Sequence, residues 1–201
     1  MRRARPRVLK RAELPIDTIE LARFLIGKLV VRRLDGGTAG GRIVETEAYP
    51  IGDPAGHAFS GITPRNRTIF GERGHAYVYL AYGVSFMLNV SSEVDGVGGA
   101  VLIRALEPTE GIPIMARHRG TERVLDLARG PGRLCQALAI DRRLDGTDLC
   151  KPGPLWLGTD GGAAGDTGLG KRIGLTRAVD NPLRFFVRDN RFVSGPRALN
   201  R

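Results

Sequence analysis

Cysteine and histidine are scarce in this sequence, and their spacing excludes several classes of site. The two cysteines, Cys135 and Cys150, do not form a CxxC motif, and the three histidines are His57, His75 and His118. Zinc sites need closely spaced thiolate and imidazole ligands, and disulfide frameworks need several paired cysteines. We therefore expect two reduced thiols and no bound metal.

Long apolar runs are also absent. Residues 1–11 read MRRARPRVLKR, and no apolar stretch follows that would make a signal peptide or a membrane-spanning helix. We expect a cytoplasmic protein without membrane contact, in which residues 1–14 form a basic arm that is flexible or lies on a phosphate backbone. Residues 15–201 then form one domain, because 42% hydrophobic residues suffice for a core at this length.

Lysine is the third scarce residue type. Only Lys10, Lys28, Lys151 and Lys171 occur among 31 basic residues, so the remainder are arginines, and with 21 acidic residues the net charge is +10. Planar guanidinium groups suit phosphate oxygens, which indicates a polyanionic partner, most simply nucleic acid. The codon usage of a GC-rich genome also enriches arginine, so composition supports this interpretation without deciding it.

The segment 41–57, GRIVETEAYPIGDPAGH, has the densest grouping of reactive side chains. β-Branched residues predict a strand at 42–47, and alternation places Glu45, Glu47 and Tyr49 on one face. The prolines and glycines that follow end the strand beside its carboxylates, where a rigid scaffold meets an irregular loop. Two glutamates in this spacing are more often a solvated strand edge, and residue chemistry does not choose between them.

Two later strands add candidates. A hairpin is predicted within 74–90, turning near Tyr82, with Tyr77 and Tyr79 on one face. Aromatic residues in strands are mostly core residues, whereas a tyrosine at a hairpin tip is harder to bury. Arg104 is the one charge on an apolar strand and needs a carboxylate or phosphate partner, so it is equally half of a structural ion pair or part of a site.

The rest of the chain predicts short elements and one loop. Asp17 begins a helix that Gly27 ends, and the glycine-rich segment 159–170 predicts a mobile loop. Further helices are expected at 110–119, 122–129 and 131–139, and further strands at 29–34, 154–157, 172–175, 183–187 and 191–193.

Taken in order, several blocks resemble one known family. ETEAY at 45–49, TPRNR at 63–67, YVYLAYG at 77–83, VLIRALEP at 101–108 and GPGRLCQALAI at 130–140 are similar to the alkyladenine (3-methyladenine) DNA glycosylases. The resemblance extends from the helix at Asp17 to Val193. It implies an α+β fold, a single domain in which a curved antiparallel sheet is flanked by helices and a protruding β-hairpin inserts into DNA.

The resemblance also implies roles for individual residues. Glu47, and not Glu45, matches the general base that activates water, Arg104 matches an arginine beside that water, and Tyr82 matches the residue that fills the gap left in the duplex. The pocket for the extruded base matches Tyr49, His57, Tyr79 and Asn89. The asparagine is the residue that screens against a purine 2-amino group.

Other parts of the match are less complete. Arg65 and Arg67 are expected on the DNA backbone, although a solvated loop would have the same sequence. A carbonyl within 172–175 is expected near the catalytic water. Residues 93–99 are slightly longer than in the family, so the position of Arg104 depends on the Leu-Glu-Pro that follows, and the segment 159–170 has no firm counterpart.

The implied activity is monofunctional base excision from double-stranded DNA that contains damaged purines, without a cofactor, by a monomer. Lyase chemistry needs an amine at C1′, and none of the four lysines lies in the matched blocks around Glu47. Cationic 3-methyladenine or 7-methylguanine leaves readily. Neutral hypoxanthine or 1,N6-ethenoadenine needs a proton, for which the sequence indicates no donor.

Two other functions explain part of the sequence. A non-catalytic RNA- or ribosome-binding module accounts for the charge and the tyrosines, but not for Glu47 and Arg104 among them. A helix-hairpin-helix glycosylase or lyase is indicated by the Gly-Pro-Gly at 130–132 before a helix. The chain is too rich in predicted strands for that all-helical fold.

Overall fold

A computed structural model of the chain describes residues 5–200, in which nine strands form one antiparallel sheet. Three helices flank the sheet: α1 (Thr18–Leu25), α2 (Ile112–Arg119) and α3 (Pro131–Ala137). The strands are β1 (Arg7–Val8), β2 (Leu29–Leu34), β3 (Gly37–Tyr49), β4 (Ala76–Ala81), β5 (Ser85–Ser91), β6 (Ala100–Glu110), β7 (Leu155–Thr159), β8 (Thr167–Gly170) and β9 (Arg184–Val187). The expected α+β class and antiparallel sheet are confirmed.

The 13-residue strand β3 is the centre of the sheet. The strand order is β1-β7-β2-β3-β6-β5-β4, and β9 pairs with both β3 and β8. One edge of β3 pairs with β2 through residue 42 and then with β9 at 45–47, while the other edge pairs with β6. The register against β6 shifts on both sides of Glu45, and such bulges bend a strand and increase its twist. The sheet therefore curls where its two buried glutamates lie.

The two faces of the sheet have different partners. Along β5, Leu88 and Val90 lie in the core beneath the helices, while Met87 and Asn89 line a cavity on the opposite face. This is the period-two alternation of a strand. The remaining strands near β3 follow the same pattern, so the helices support one face and leave the other for a site.

The segments that differ from the predictions lie mainly near the C-terminal end. Residues 172–175 and 191–193 are not strands, and the predicted helix at 122–129 is only a 3₁₀ turn at Val124–Asp126. The glycine-rich segment 159–170, predicted as a mobile loop, has no regular structure at 160–166, but its last four residues form β8. A Cβ atom on Gly168 would lie 2.6 Å from the Phe186 ring, so glycine lets β8 approach β9 closely.

Residues 7–14 of the expected arm are part of the packed domain. Arg7 and Val8 pair with β7, and Leu9 and Leu14 are buried in the core. Apolar side chains at these two positions hold the segment against the sheet, because their burial is favourable. Residues 1–4 lie outside the described part of the chain. Between residues 5 and 200, no helix has the length and apolarity to cross a membrane.

Candidate active site

The open face of the sheet forms the floor of a cavity of about 710 Å³. Strand pairing brings the polar residues of this face together, because Glu47 on β3 and Asn89 on β5 both lie opposite Leu102 on β6. Arg104, two residues after Leu102 on β6, lines the same cavity and contacts Glu47 despite the long 93–99 connection. Predicted site residues that line the cavity are Tyr49, His57, Arg65, Tyr79, Tyr82, Asn89 and Arg104.

Glu47 is completely buried beneath this cavity. Its Oε1 accepts a hydrogen bond of 2.7 Å from the Ile173 N–H and forms an ion pair of 3.1 Å with Nη1 of Arg104. Its Oε2 accepts a hydrogen bond of 2.9 Å from the Tyr49 hydroxyl. All three partners donate, as an ionised carboxylate requires. The segment 172–175, expected to present a carbonyl, thus contacts Glu47 through an N–H.

Glu45 is equally buried but has different partners. It accepts hydrogen bonds from Nε of Arg104 at 3.1 Å, from Nε of Arg184 at 2.6 Å and from the Ser194 N–H at 2.7 Å. The cavity-lining residues Tyr49 and Ile173 contact Glu47, whereas Arg184 and Ser194 contact Glu45. The structure thus distinguishes two carboxylates that residue chemistry leaves equivalent.

Arg104 combines both alternatives that the sequence leaves open. It lines the cavity, and it also bridges Glu45 and Glu47 through two nitrogens of one guanidinium group. Burial opposes its charge, but Glu47 and Glu45 outweigh that effect and raise the pKa of Arg104. The arginine is therefore a fixed positive charge beside the candidate base.

Three aromatic rings form one wall of the cavity. The His57 and Tyr79 rings lie edge to face at 4.3 Å, and Tyr77 stacks on Tyr79 with 5.4 Å between ring centroids. Nδ1 of His57 is hydrogen-bonded to the Tyr77 hydroxyl at 2.9 Å. Partial burial lowers the pKa of His57, with a further contribution from Arg65, and burial raises the pKa of Tyr77 to about 12. The wall is therefore uncharged at neutral pH.

The Tyr49 ring also lines the cavity and is supported by a buried arginine. The Arg172 guanidinium lies 4.7 Å from the centre of the ring, a cation–π contact. Arg172 forms a buried ion pair with Asp53 and donates a 2.9 Å hydrogen bond to the Ala48 carbonyl. Burial, and secondarily Glu47, raises the pKa of Tyr49, so its hydroxyl remains a donor.

The Thr-Pro-Arg-Asn-Arg loop is ordered by its asparagine. Buried Asn66 donates hydrogen bonds to the carbonyls of His57 at 2.8 Å and Gly61 at 3.0 Å. Arg65 is exposed at the rim, with its guanidinium 5.8 Å from the centre of the Tyr79 ring. Arg67 is exposed as well. The loop therefore holds His57 in place while its arginines face solvent.

Tyr82 occupies the tip of the β4–β5 hairpin, with 93% of its surface exposed. Tyr82 has a φ angle of 52° and Gly83 one of 69°, and two positive φ angles are typical of a type I′ hairpin turn. Val84 beside them is 81% exposed. A bulky residue in the left-handed region is strained, and such strain is found mainly at functional positions.

Sequence reasoning missed several residues that build the site. Asn66, Tyr77, Asp53, Arg172 and Arg184 all hold a candidate residue in place through hydrogen bonds or ion pairs. Asp53 lies in the loop four residues after the end of β3, which is a usable signal, but its partner Arg172 lies 119 residues away. Within residues 5–200, no three His, Cys, Asp or Glu side chains lie close enough to hold a metal ion.

Comparison with known proteins identifies the family of this chain. A model of the methylpurine-DNA glycosylase family matches residues 12–191. A protein of Mesorhizobium japonicum is 66% identical over 95% of this chain and 92% of its own length, and one of Paraburkholderia phytofirmans is 51% identical over 95% and 90%. A protein of Methanoculleus marisnigri is 47% identical over 89% and 94%. The names of all three include the words 3-methyladenine DNA glycosylase. The chain therefore belongs to the methylpurine-DNA glycosylase family and is a DNA-repair enzyme that hydrolyses N-glycosyl bonds in DNA.

Proposed function

We propose that this enzyme is a monofunctional glycosylase that extrudes alkylated purines from duplex DNA and hydrolyses their N-glycosidic bonds with water activated by Glu47. The single observation that carries the proposal is the position of Glu47, a buried carboxylate beneath an aromatic cavity, held by Arg104 and Tyr49, which both line that cavity. Such a site can receive a planar base and act on the sugar attached to it.

Base extrusion is the first step of the proposed reaction. Taking a purine out of the stack costs a few kcal/mol, and stacking on an aromatic side chain returns about 1–3 kcal/mol per base. Tyr49, His57 and Tyr79 supply rings for this purpose. A cationic purine gains further from the π faces of the tyrosines. Tyr82, at the exposed hairpin tip, fills the space that the base leaves in the duplex.

Hydrolysis follows at C1′ of the extruded nucleotide. The bond from C1′ to the purine nitrogen breaks with its electron pair going to the purine, and positive charge develops on the sugar. Glu47 stabilises this charge, and it takes a proton from the water whose oxygen forms the new bond to C1′. The products are the free base and an abasic site. Arg104 holds Glu47 in position for both tasks.

Cationic lesions are the substrate class that this site suits best. A purine alkylated at N3 or N7, as in 3-methyladenine or 7-methylguanine, is a good leaving group without an acid. Because the pKa of His57 is lowered, its ring is not a ready proton donor at neutral pH. We expect neutral hypoxanthine and 1,N6-ethenoadenine to be released more slowly. Asn89 on the cavity floor is proposed to disfavour purines with a 2-amino group, so among the cationic lesions we expect 3-methyladenine to be released faster than 7-methylguanine, which carries that group.

The DNA backbone is proposed to lie along the rim of the cavity, where exposed Arg65 can contact phosphates, and to continue to exposed Arg67 two residues further along the chain. One cavity in one chain accommodates one extruded base, so a monomer suffices. Among residues 5–200, no lysine lines the cavity, which supports hydrolysis over Schiff-base lyase chemistry.

The test is single-turnover base release from one set of duplexes that carry 3-methyladenine, 7-methylguanine, hypoxanthine, 1,N6-ethenoadenine or no lesion. We expect release of the cationic purines, no release of the normal base, and strand breaks only after alkali treatment of the abasic product. Release of none of these bases by a folded, DNA-binding protein would contradict the proposed function. Strand cleavage without alkali would contradict its monofunctional mechanism.

A further inference from the structure

Two carboxylates and two guanidinium groups alternate beneath the cavity. Glu45, Glu47 and Arg184 have no exposed surface, and Arg104 is also buried. Arg184 lies directly opposite Glu47 in the β3–β9 pairing, although its Nε donates to Glu45. The four side chains carry two negative and two positive charges, so the buried cluster is balanced as a whole.

We propose that Glu45 and Arg184 form a positioning pair, which orients Arg104 toward Glu47 and balances the charge around the catalytic carboxylate. Neither residue is assigned contact with the substrate. The inference rests on the proposed function, since it takes Glu47 to be the general base.

The orientation of Arg104 follows from its three neighbours. Its Nε donates to Glu45 at 3.1 Å, its Nη1 lies 3.1 Å from Glu47, and its Nη2 donates to the Ser194 hydroxyl at 3.4 Å. A guanidinium group is rigid and planar, so fixing Nε at Glu45 determines where Nη1 points. Glu45 therefore sets the geometry of the Arg104–Glu47 contact.

Arg184 fixes Glu45 in turn. It donates to Glu45 at 2.6 Å, contacts Asn200, and its guanidinium lies 4.6 Å from the centre of the Phe186 ring. The Ser194 N–H donates to the other oxygen of Glu45. The segment after β9 is thus fastened to the same carboxylate, and Glu45 has little freedom to leave Arg104.

Because the charges of the cluster balance, removing one of them should change how easily Glu47 ionises, which a loss of packing alone would not do. Without Arg184, Glu45 and Glu47 would share the one positive charge of Arg104, and ionisation of Glu47 would become harder. Without the charge of Glu45, two arginines would face Glu47 alone, and ionisation would become easier. The other ionisable neighbours are Tyr49, Tyr79 and Arg172, and Arg172 is already paired with Asp53.

The test is the pH profile of single-turnover 7-methylguanine release. This lesion already carries its positive charge, so the acidic limb of the profile reports the base rather than a proton donor. For Arg184→Met we expect the limb to move to higher pH by about one unit, and for Glu45→Gln to lower pH. Arg184→Lys, which keeps the charge, should leave the limb near its wild-type position. The double variant Glu45→Gln/Arg184→Met restores charge balance and should also return it.

Arg42→Met is the matched control. Arg42 lies on the same strand and forms a buried ion pair of 2.5 Å with Asp160, so its loss disturbs packing without touching the cluster. We expect its acidic limb to coincide with that of wild type. If Arg184→Met does not fold, Glu45→Gln and the balanced double variant still show whether the charges of Glu45 and Arg184 set the position of the acidic limb.

Unchanged acidic limbs in both Glu45→Gln and Arg184→Met would overturn the positioning pair. So would equal shifts of one sign in all variants, including the Arg42 control. The proposed function is tested separately with Glu47→Gln: full activity in that variant contradicts the base assignment itself. If Glu47→Gln loses activity while Glu45→Gln and Arg184→Met keep the wild-type acidic limb, only the positioning role of Glu45 and Arg184 is contradicted.

Discussion

Glu45 and Glu47 have the same side chain, the same strand and the same complete burial, and they differ only in what surrounds them. One is enclosed by two arginines and a backbone amide, and the other contacts the tyrosine that lines the cavity. The partners, rather than the residue type, therefore favour Glu47 over Glu45 as the proposed base. The alternation of a strand predicts that both point the same way, but the partners come from β6, β9 and a distant loop.

Tyr49 offers a test at the residue scale that separates its ring from its hydroxyl. We expect Tyr49→Phe to release 7-methylguanine within about tenfold of wild type, because stacking is retained and one hydrogen bond of roughly 1 kcal/mol to Glu47 is lost. Tyr49→Ala should be slower than Tyr49→Phe by a further factor of about 5–150, the equivalent of 1–3 kcal/mol of stacking. Single-turnover rates at saturating enzyme measure both. Equal rates for the two variants would mean that the ring does not bind the base.

Other residues of the site could not be predicted, and the reason is physical. Asn66 organises its loop by donating hydrogen bonds to two backbone carbonyls. The sequence of the loop does not indicate these bonds, because a solvated loop would have the same sequence. Arg172 supports the Tyr49 ring and forms an ion pair with Asp53. Both contacts depend on how the chain folds between residues 53 and 172. Strand alternation and turn chemistry are local, whereas these partnerships are set by tertiary structure.

Among the elements, the β4–β5 hairpin is the one whose structure was most predictable. Alternating apolar residues and the Tyr82-Gly83 dipeptide predict both strands and the turn between them. The glycine-rich segment 159–170 is the contrasting case. Its composition is typical of a flexible loop, yet residues 167–170 form β8 because the edge of β9 is available for pairing. An available edge is a property of the sheet and not of the segment.

The hairpin tip allows function and stability to be separated. We expect Tyr82→Gly to raise the free energy of unfolding by about 1 kcal/mol, because glycine removes the strain of the positive φ angle. Urea denaturation measures this change. Base release by the same variant should fall roughly tenfold or more, because nothing fills the gap in the duplex.

Tyr82→Ala is the control for this pair of effects. It loses the ring but keeps a Cβ atom in the left-handed region, so it should be as slow as Tyr82→Gly without the gain in stability. Wild-type release rates in Tyr82→Gly would show that the tip does not act as a wedge.

At the scale of the whole molecule, ion pairs between distant segments hold the sheet to its loops. Arg42 on β3 pairs with Asp160 just after β7, and this hydrogen bond, helped by the Gly162 N–H, lowers the pKa of Asp160 to about 2. The unfolded value is near 3.8. A lowered pKa in the folded state stabilises the protein above pH 4, and that stabilisation is lost as the pH falls from about 4 to 2.

Asp160→Asn should therefore reduce the free energy of unfolding by about 1–2 kcal/mol at pH 7, with the difference from wild type shrinking toward pH 2. Urea denaturation across this pH range measures the effect. Asp180→Asn is the control, because its pair with Lys171 is largely exposed, and we expect no measurable change. A difference between Asp160→Asn and wild type that is constant with pH would argue against an ionic origin.

The role proposed for Glu47 as the general base is tested by comparing base release and DNA binding in one set of variants. Single-turnover release of 7-methylguanine is compared among wild type, Glu47→Gln and Asp160→Asn, together with the affinity of each for the same duplex. We expect Glu47→Gln to bind the duplex as tightly as wild type but to release the base at least 100-fold more slowly, about 2.7 kcal/mol in the barrier, while Asp160→Asn keeps the wild-type rate. Release at the wild-type rate by Glu47→Gln would show that Glu47 is not the base.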